Sequence, residues 1–145
     1  MAEMKRFEFL EHTADVYIAA YGRSLKEAFE NAALAMFETM TDTADVKRER
    51  EDFIEVEGED KESLLYNWLE NLLVKFEVEN MLYSDFNILS IERNNGKLNL
   101  KAKIYGEPFN PDRHKQKVGI KAVTYHRMEI VEKPEGATVK FILDI

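Results

Sequence analysis

Ile120-Lys121-Ala122-Val123-Thr124-Tyr125-His126 is rich in β-branched and aromatic residues and reads as a strand, in which successive side chains point to opposite faces. Extended to Val118–Glu132, one row holds Ile120, Ala122, Thr124, His126, Met128 and Ile130. The other holds Lys121, Val123, Tyr125, Arg127 and Val131. A strand that only fills a core sorts apolar from polar side chains. Both rows here are mixed, and Lys121, Thr124, Tyr125 and His126 crowd functional groups into six positions. The bland alternative is a strand with one exposed face. A site is favoured because Glu11-His12-Thr13-Ala14-Asp15 has a similar character.

The rest of the chain supplies the frame. Phe7–Leu10 and Val16–Tyr21 read as two strands, the second ended by Gly22. Ser24-Leu25-Lys26-Glu27 is a capping box, in which the serine accepts from the Glu27 amide and that carboxylate reaches back. Leu25, Ala28, Phe29, Ala32, Ala33, Met36, Phe37 and Met40 then recur on one helical face. Thr41–Asp52 is polar and reads as a loop. Ile54 and Val56 alternate with Glu55 and Glu57 up to Gly58. Asp60 can cap a second helix whose stripe is Leu64, Leu65, Trp68, Leu69, Leu72, Leu73 and Phe76. Trp68 inside a leucine stripe is a core residue rather than a binding one.

After Asn80 the period becomes two. Phe86–Ile91 and the alternating Leu98, Leu100, Ala102 and Ile104 form a hairpin about Asn94-Asn95-Gly96. A polar loop with Pro108 and Pro111 leads to the mixed strand. Pro134-Glu135-Gly136 makes the last turn, before a final strand that ends at Asp144-Ile145. Two amphipathic helices with one stripe each suit one face of one sheet. The expectation is a single α+β domain over residues 1–145, two-layered, with one mixed sheet and both helices on one face.

Composition narrows the chemistry. A chain of 145 residues can bury a core unaided. With no cysteine, disulfides, thiolate metal sites and thiol nucleophiles are excluded. No apolar run approaches the ~20 residues of a membrane helix and no signal-peptide region opens the chain, so cytoplasmic residence is expected. The net charge of -8 argues against strong direct binding of nucleic acid, whose phosphates are neutralised by Lys and Arg. The basic patch from Arg113 to Lys117 with Lys121 is the exception available.

The candidate functional groups stand at element ends, where a scaffold fixes side chains and leaves them open. These are His12, Asp15, Glu107 and Asp144. Asp15, Glu107 and Asp144 are hard oxygen donors. With the α-carboxylate of Ile145 they suit calcium or magnesium, the plain alternative being a solvated acidic tail. Asp15 and Asp144 can share an ion only if the terminal strand pairs, or nearly pairs, with the N-terminal strands. There is no Gly-x-Ser-x-Gly elbow and no phosphate-binding glycine loop. His12 and His126 lack the spacing of a zinc site. A metal-dependent hydrolase or transferase, with His12 or His126 as base beside Asp15, Glu107 and Asp144, is the enzymatic alternative.

Glu11-His12-Thr13-Ala14-Asp15-Val16 resembles the archease family. So do the capped helix from Ser24 to Phe37, Leu64-Leu65-x-x-Trp68-Leu69, Gly106-Glu107 with His114, Lys121-Ala122-Val123-Thr124-Tyr125-His126 and Asp144-Ile145. The order is kept over essentially the whole chain. Tyr17 departs from the small residue more usual there. The resemblance implies a non-catalytic helper: a cofactor of the RtcB-type tRNA-splicing ligase. It would promote the ligase's guanylylation and repeated turnover and broaden nucleotide use, and act as a chaperone-like modulator of other RNA-processing enzymes such as a tRNA cytosine methyltransferase. It also implies a metal site of Asp15, Asp144 and Ile145 with His12 beside it, and Glu107, Lys121 and His126 as further participants.

Overall fold

The structure, a computed structural model, describes residues 5–11 and 14–145. The N-terminal part is β1 (Phe7–Leu10), β2 (Val16–Gly22), α1 (Leu25–Met40), a 3-10 turn at Thr43–Asp45, β3 (Arg50–Gly58) and α2 (Lys61–Glu79). There follow β4 (Met81–Asn94), β5 (Lys97–Pro108), β6 (Ala122–Val123), β7 (Glu129–Lys133) and β8 (Gly136–Asp144).

The α+β class is as expected, but the single mixed sheet is not. Among the described residues there are two sheets, and every pairing in them is antiparallel. One runs β1-β2-β8-β6, with β7 also on β8; the other runs β3-β5-β4. The reason lies in α1. The expected stripe is buried apart from half-buried Leu25, yet Asn31, Leu34, Ala35 and Thr39 are buried too. A helix covered on so many sides is not lying on one face. It packs on β2 and β8 of one sheet and on β4 of the other, its alanines letting both approach closely. Asn31 is satisfied in place, donating to Tyr21 O at 2.7 Å and accepting from Arg6 at 2.9 Å. α2 covers the second sheet and is tied to α1 by Trp68, whose Nε1–H donates to Phe29 O at 2.9 Å. Among the described residues no helix is long and apolar enough to cross a membrane.

Local signals act largely as read. Ser24 Oγ accepts the Glu27 amide at 3.2 Å, while the Glu27 carboxylate takes the Arg23 amide, one residue earlier than expected. Asp60 and Ser63 form a reciprocal box at α2. Asn95 and Gly96, both at positive φ (54° and 81°), close the β4–β5 hairpin, the left-handed pair that a two-residue turn requires. β4 is longer than Phe86–Ile91 because register shifts near Ser84 and Leu89 carry it past irregularities. The Ile88 amide there is satisfied by Glu30 Oε2 at 2.8 Å.

The strand expected over Val118–Glu132 is also corrected. Only Ala122–Val123 and Glu129–Lys133 pair, both with the same edge of β8. Between them the chain leaves the ladder. Arg127 takes φ 56° and the Met128 amide closes a turn on Tyr125 O at 3.1 Å. β-favouring side chains do not prevent a turn once its amides find other acceptors.

Candidate functional site

β2 and β8 run antiparallel with Val16 opposite Leu143. The ladder ends at that pair: Asp144 is the last residue of β8, and Asp15 lies in the bend that precedes β2. Alternation turns Asp144 to the face of Tyr17 and Ile142, which are buried but stand outside the helix-side core cluster. On the other flank Ala122 pairs with Asp144, and the Lys121 amide donates to Asp144 O at 2.7 Å. Ile145, next to Asp144, packs its side chain against the core. The pairing expected between N-terminal and terminal strands is therefore present. Asp15, one residue before β2, and Asp144, the last residue of β8, thus stand at the same end of this ladder, an acidic corner.

The donor chemistry at the corner is all oxygen, which suits a hard divalent cation. Among the described residues no three His, Asp or Glu side chains are grouped closely enough to hold a metal ion. His12, expected beside the site, lies outside the described residues.

The turn between β6 and β7 carries His126. Thr124 donates twice to Ile142 O, through its amide at 3.2 Å and its hydroxyl at 2.9 Å. The Tyr125 ring lies flat on Tyr66 of α2, centroids 4.4 Å apart and planes 7° off parallel. The Arg127 guanidinium sits over the Tyr17 ring at 5.1 Å. Lys121 and His126 are both exposed.

Glu107, expected on the same functional surface, is elsewhere. It lies on β5 in the other sheet and is only 3% exposed. Its carboxylate pairs with Arg113, accepts the Lys47 amide at 2.7 Å and meets His114 Nε2 at 2.9 Å. His114 Nδ1 accepts the Asn110 amide at 2.9 Å, so the ring proton is on Nε2 and is donated to Glu107. The Arg113 guanidinium, and then the Lys47 amide and His114, hold the Glu107 carboxyl down at about 2 against the pull of burial. This is a fastening for the 109–117 loop. A hydrolase that draws on Glu107 loses that carboxylate.

Tyr66 and Arg127 were not singled out in sequence. Tyr66 falls off the leucine stripe of α2, and a charged residue at positive φ carries no local signal of the glycine or asparagine kind.

Residues 7–145 match the Archease protein family (MTH1598/TM1083). The protein archease of Sulfolobus acidocaldarius is 49% identical over 142 residues, covering 98% of this chain and 100% of that one. That of Pyrococcus abyssi is 47% identical over 133 residues, 92% of this chain and 93% of the relative. The solution structure of Methanobacterium thermoautotrophicum protein 1598 superposes with a TM-score of 0.86 at 43% identity, covering 98% and 100% of the two chains. The crystal structure of an archease, possible chaperone, from Thermotoga maritima gives 0.59 at 19% identity over the full length of both, a likeness of fold alone.

Proposed function

Because the chain belongs to the archease family, we propose that it is a non-catalytic protein cofactor of an RtcB-type tRNA-splicing RNA ligase. It promotes guanylylation of the ligase and so its repeated turnover, and serves other RNA-processing enzymes, a tRNA cytosine methyltransferase among them, in a chaperone-like way. The observation that supports the reading is the β2–β8 pairing, which joins residues 16 and 143 and so brings the strand ends next to Asp15 and Asp144 to one end of the sheet, with the Lys121 amide on Asp144 O. An acidic corner on a chain of net charge -8 is complementary to a basic partner surface, and such complementarity speeds encounter.

A calcium or magnesium ion held by Asp15, Asp144 and the Ile145 carboxylate would supply a hard positive charge there, its remaining oxygen ligands coming from water or the partner. The chain's own contribution would be to hold the ends of two paired strands side by side and to anchor Ile145 by its apolar side chain.

The test is a guanylylation and multiple-turnover assay of the purified ligase with GTP and a divalent metal, with and without this protein. Stimulation by the wild type, lost in Asp15→Asn and Asp144→Asn variants that remain folded, is the expected result. A ligase that turns over equally well without the protein would overturn it. The purified protein alone is expected to leave phosphoesters and nucleotides unchanged.

A further inference from the structure

The edge of β8 passes from β6 to β7 across residues 124–128, and that short excursion is held from both faces of the sheet. Tyr125 turns towards α2 and lies on Tyr66. Arg127 turns to the opposite face and covers Tyr17, the ladder partner of Ile142. Thr124 fastens the near end by two hydrogen bonds to Ile142 O. His126 is left exposed between the two anchors, on the strand edge that also covers Asp144.

A turn of this kind is not self-supporting. It contains a non-glycine residue at positive φ, disfavoured by contact between Cβ and the backbone. It has left its ladder, and the segment holds few buried side chains of its own, which is the condition for local opening. Parallel aromatic rings add stabilisation beyond the area they bury. Tyr66 belongs to α2, which packs chiefly on the other sheet and also touches β6 and β7, so the stack ties the turn to an element outside its own sheet.

We propose that Tyr66 is a positioning residue of the partner-binding surface: through its stack with Tyr125 it fixes the 124–128 turn, so that His126 is presented to a protein partner beside the acidic corner. The assignment of a partner rests on the function proposed above. Pre-ordering a surface removes an entropy cost that binding would otherwise carry. The effect therefore falls on the concentration of protein needed, not on the rate reached at saturation.

The experiment compares wild type, Tyr66→Phe and Tyr66→Ala by titrating each into the ligase turnover assay, and follows the His126 imidazole signals of the isolated protein by NMR. Tyr66→Ala is expected to raise the half-maximal concentration roughly tenfold, as for the loss of a few immobilised side chains, with an unchanged plateau and averaged His126 signals. Tyr66→Phe keeps the ring and restores both. If Tyr66→Ala fails to fold, Tyr125→Leu removes the same stack from the exposed side. Wild-type half-maximal concentration and wild-type His126 signals in the ring-deleted variant overturn the inference, as does a Tyr66→Phe as impaired as Tyr66→Ala. A wild type that does not stimulate the ligase overturns the proposed function instead, and the His126 signals then decide the positioning by themselves.

Discussion

Glu107 Oε2 and His114 Nε2 are hydrogen-bonded at 2.9 Å with both side chains buried, at the point where a long loop returns to the end of β5. Arg113 brings the opposing charge, so the carboxylate stays ionised down to about pH 2 in the folded protein against an ordinary 4.5. A carboxyl lowered by folding contributes stability above its unfolded value, and that contribution disappears as pH falls from about 4.5 to about 2. By linkage the amount is on the order of 3 kcal/mol. Glu107→Gln is expected to be less stable at pH 7 and to show a flatter stability profile over that window, measured by urea unfolding at a series of pH values. A variant with the wild-type pH dependence would show that Glu107 is not the group responsible.

Trp68 is fully buried and bridges the helices through Phe29 O. Trp68→Ala should cost roughly 3–5 kcal/mol, as for other large core side chains. Trp68→Phe should cost less, since it keeps most of the volume and loses the donor. Chemical denaturation of the two variants orders them; a neutral alanine variant would contradict the core described.

Gly106 has no room for a side chain. A Cβ built there would lie 1.8 Å from Leu82 O, on the paired backbone of β4, which cannot move without breaking the ladder. Gly106→Ala is expected to destabilise by about 3 kcal/mol or more, visible as a lowered melting temperature or as insoluble expression. Gly119→Ala, with nothing within 4 Å of its Cβ, is the control and should melt with the wild type.

The acidic corner makes a prediction that needs no ligase. If Asp15, Asp144 and the Ile145 carboxylate hold a divalent cation, millimolar calcium should raise the melting temperature of the wild type, because an ion that binds only the folded chain stabilises it by mass action. Asp144→Asn should gain little from calcium. A calcium shift that persists in the variant would place the ion elsewhere.

Much of this was legible in the residues, for identifiable reasons. Helix starts at Ser24 and Asp60 and the hairpin at Asn95-Gly96 are local chemistry, and local chemistry is written in adjacent residues. The pairing of β2 with β8 could be anticipated because charge at two strand ends makes sense only if something joins them. The division into two sheets could not. Alternation tells which side of Leu100 or Phe141 is apolar, but not that α1 will stand between them as a shared wall. The break at Thr124–Met128 was hidden for a related reason. Its residues favour strand, and what releases them are partners distant in sequence, Tyr66, Tyr17 and the Ile142 carbonyl. Glu107 was misplaced because the Arg113 loop that closes over it has no periodicity to announce its return.

The pairing of β2 with β8 joins residues 16 and 143, one of the longest loop closures the chain can make. Contacts of such sequence separation form slowly, since the entropy of closing the loop precedes any reward from the ladder. β1–β2 and β7–β8 pair residues close in sequence, so it is the joining of these two parts into one sheet that waits on that one event. The joined strand ends are therefore a late feature of folding. A chain arrested with only the Asn95-Gly96 hairpin and its helices in place would not display them, and a partner that recognises the corner recognises completion as well as identity.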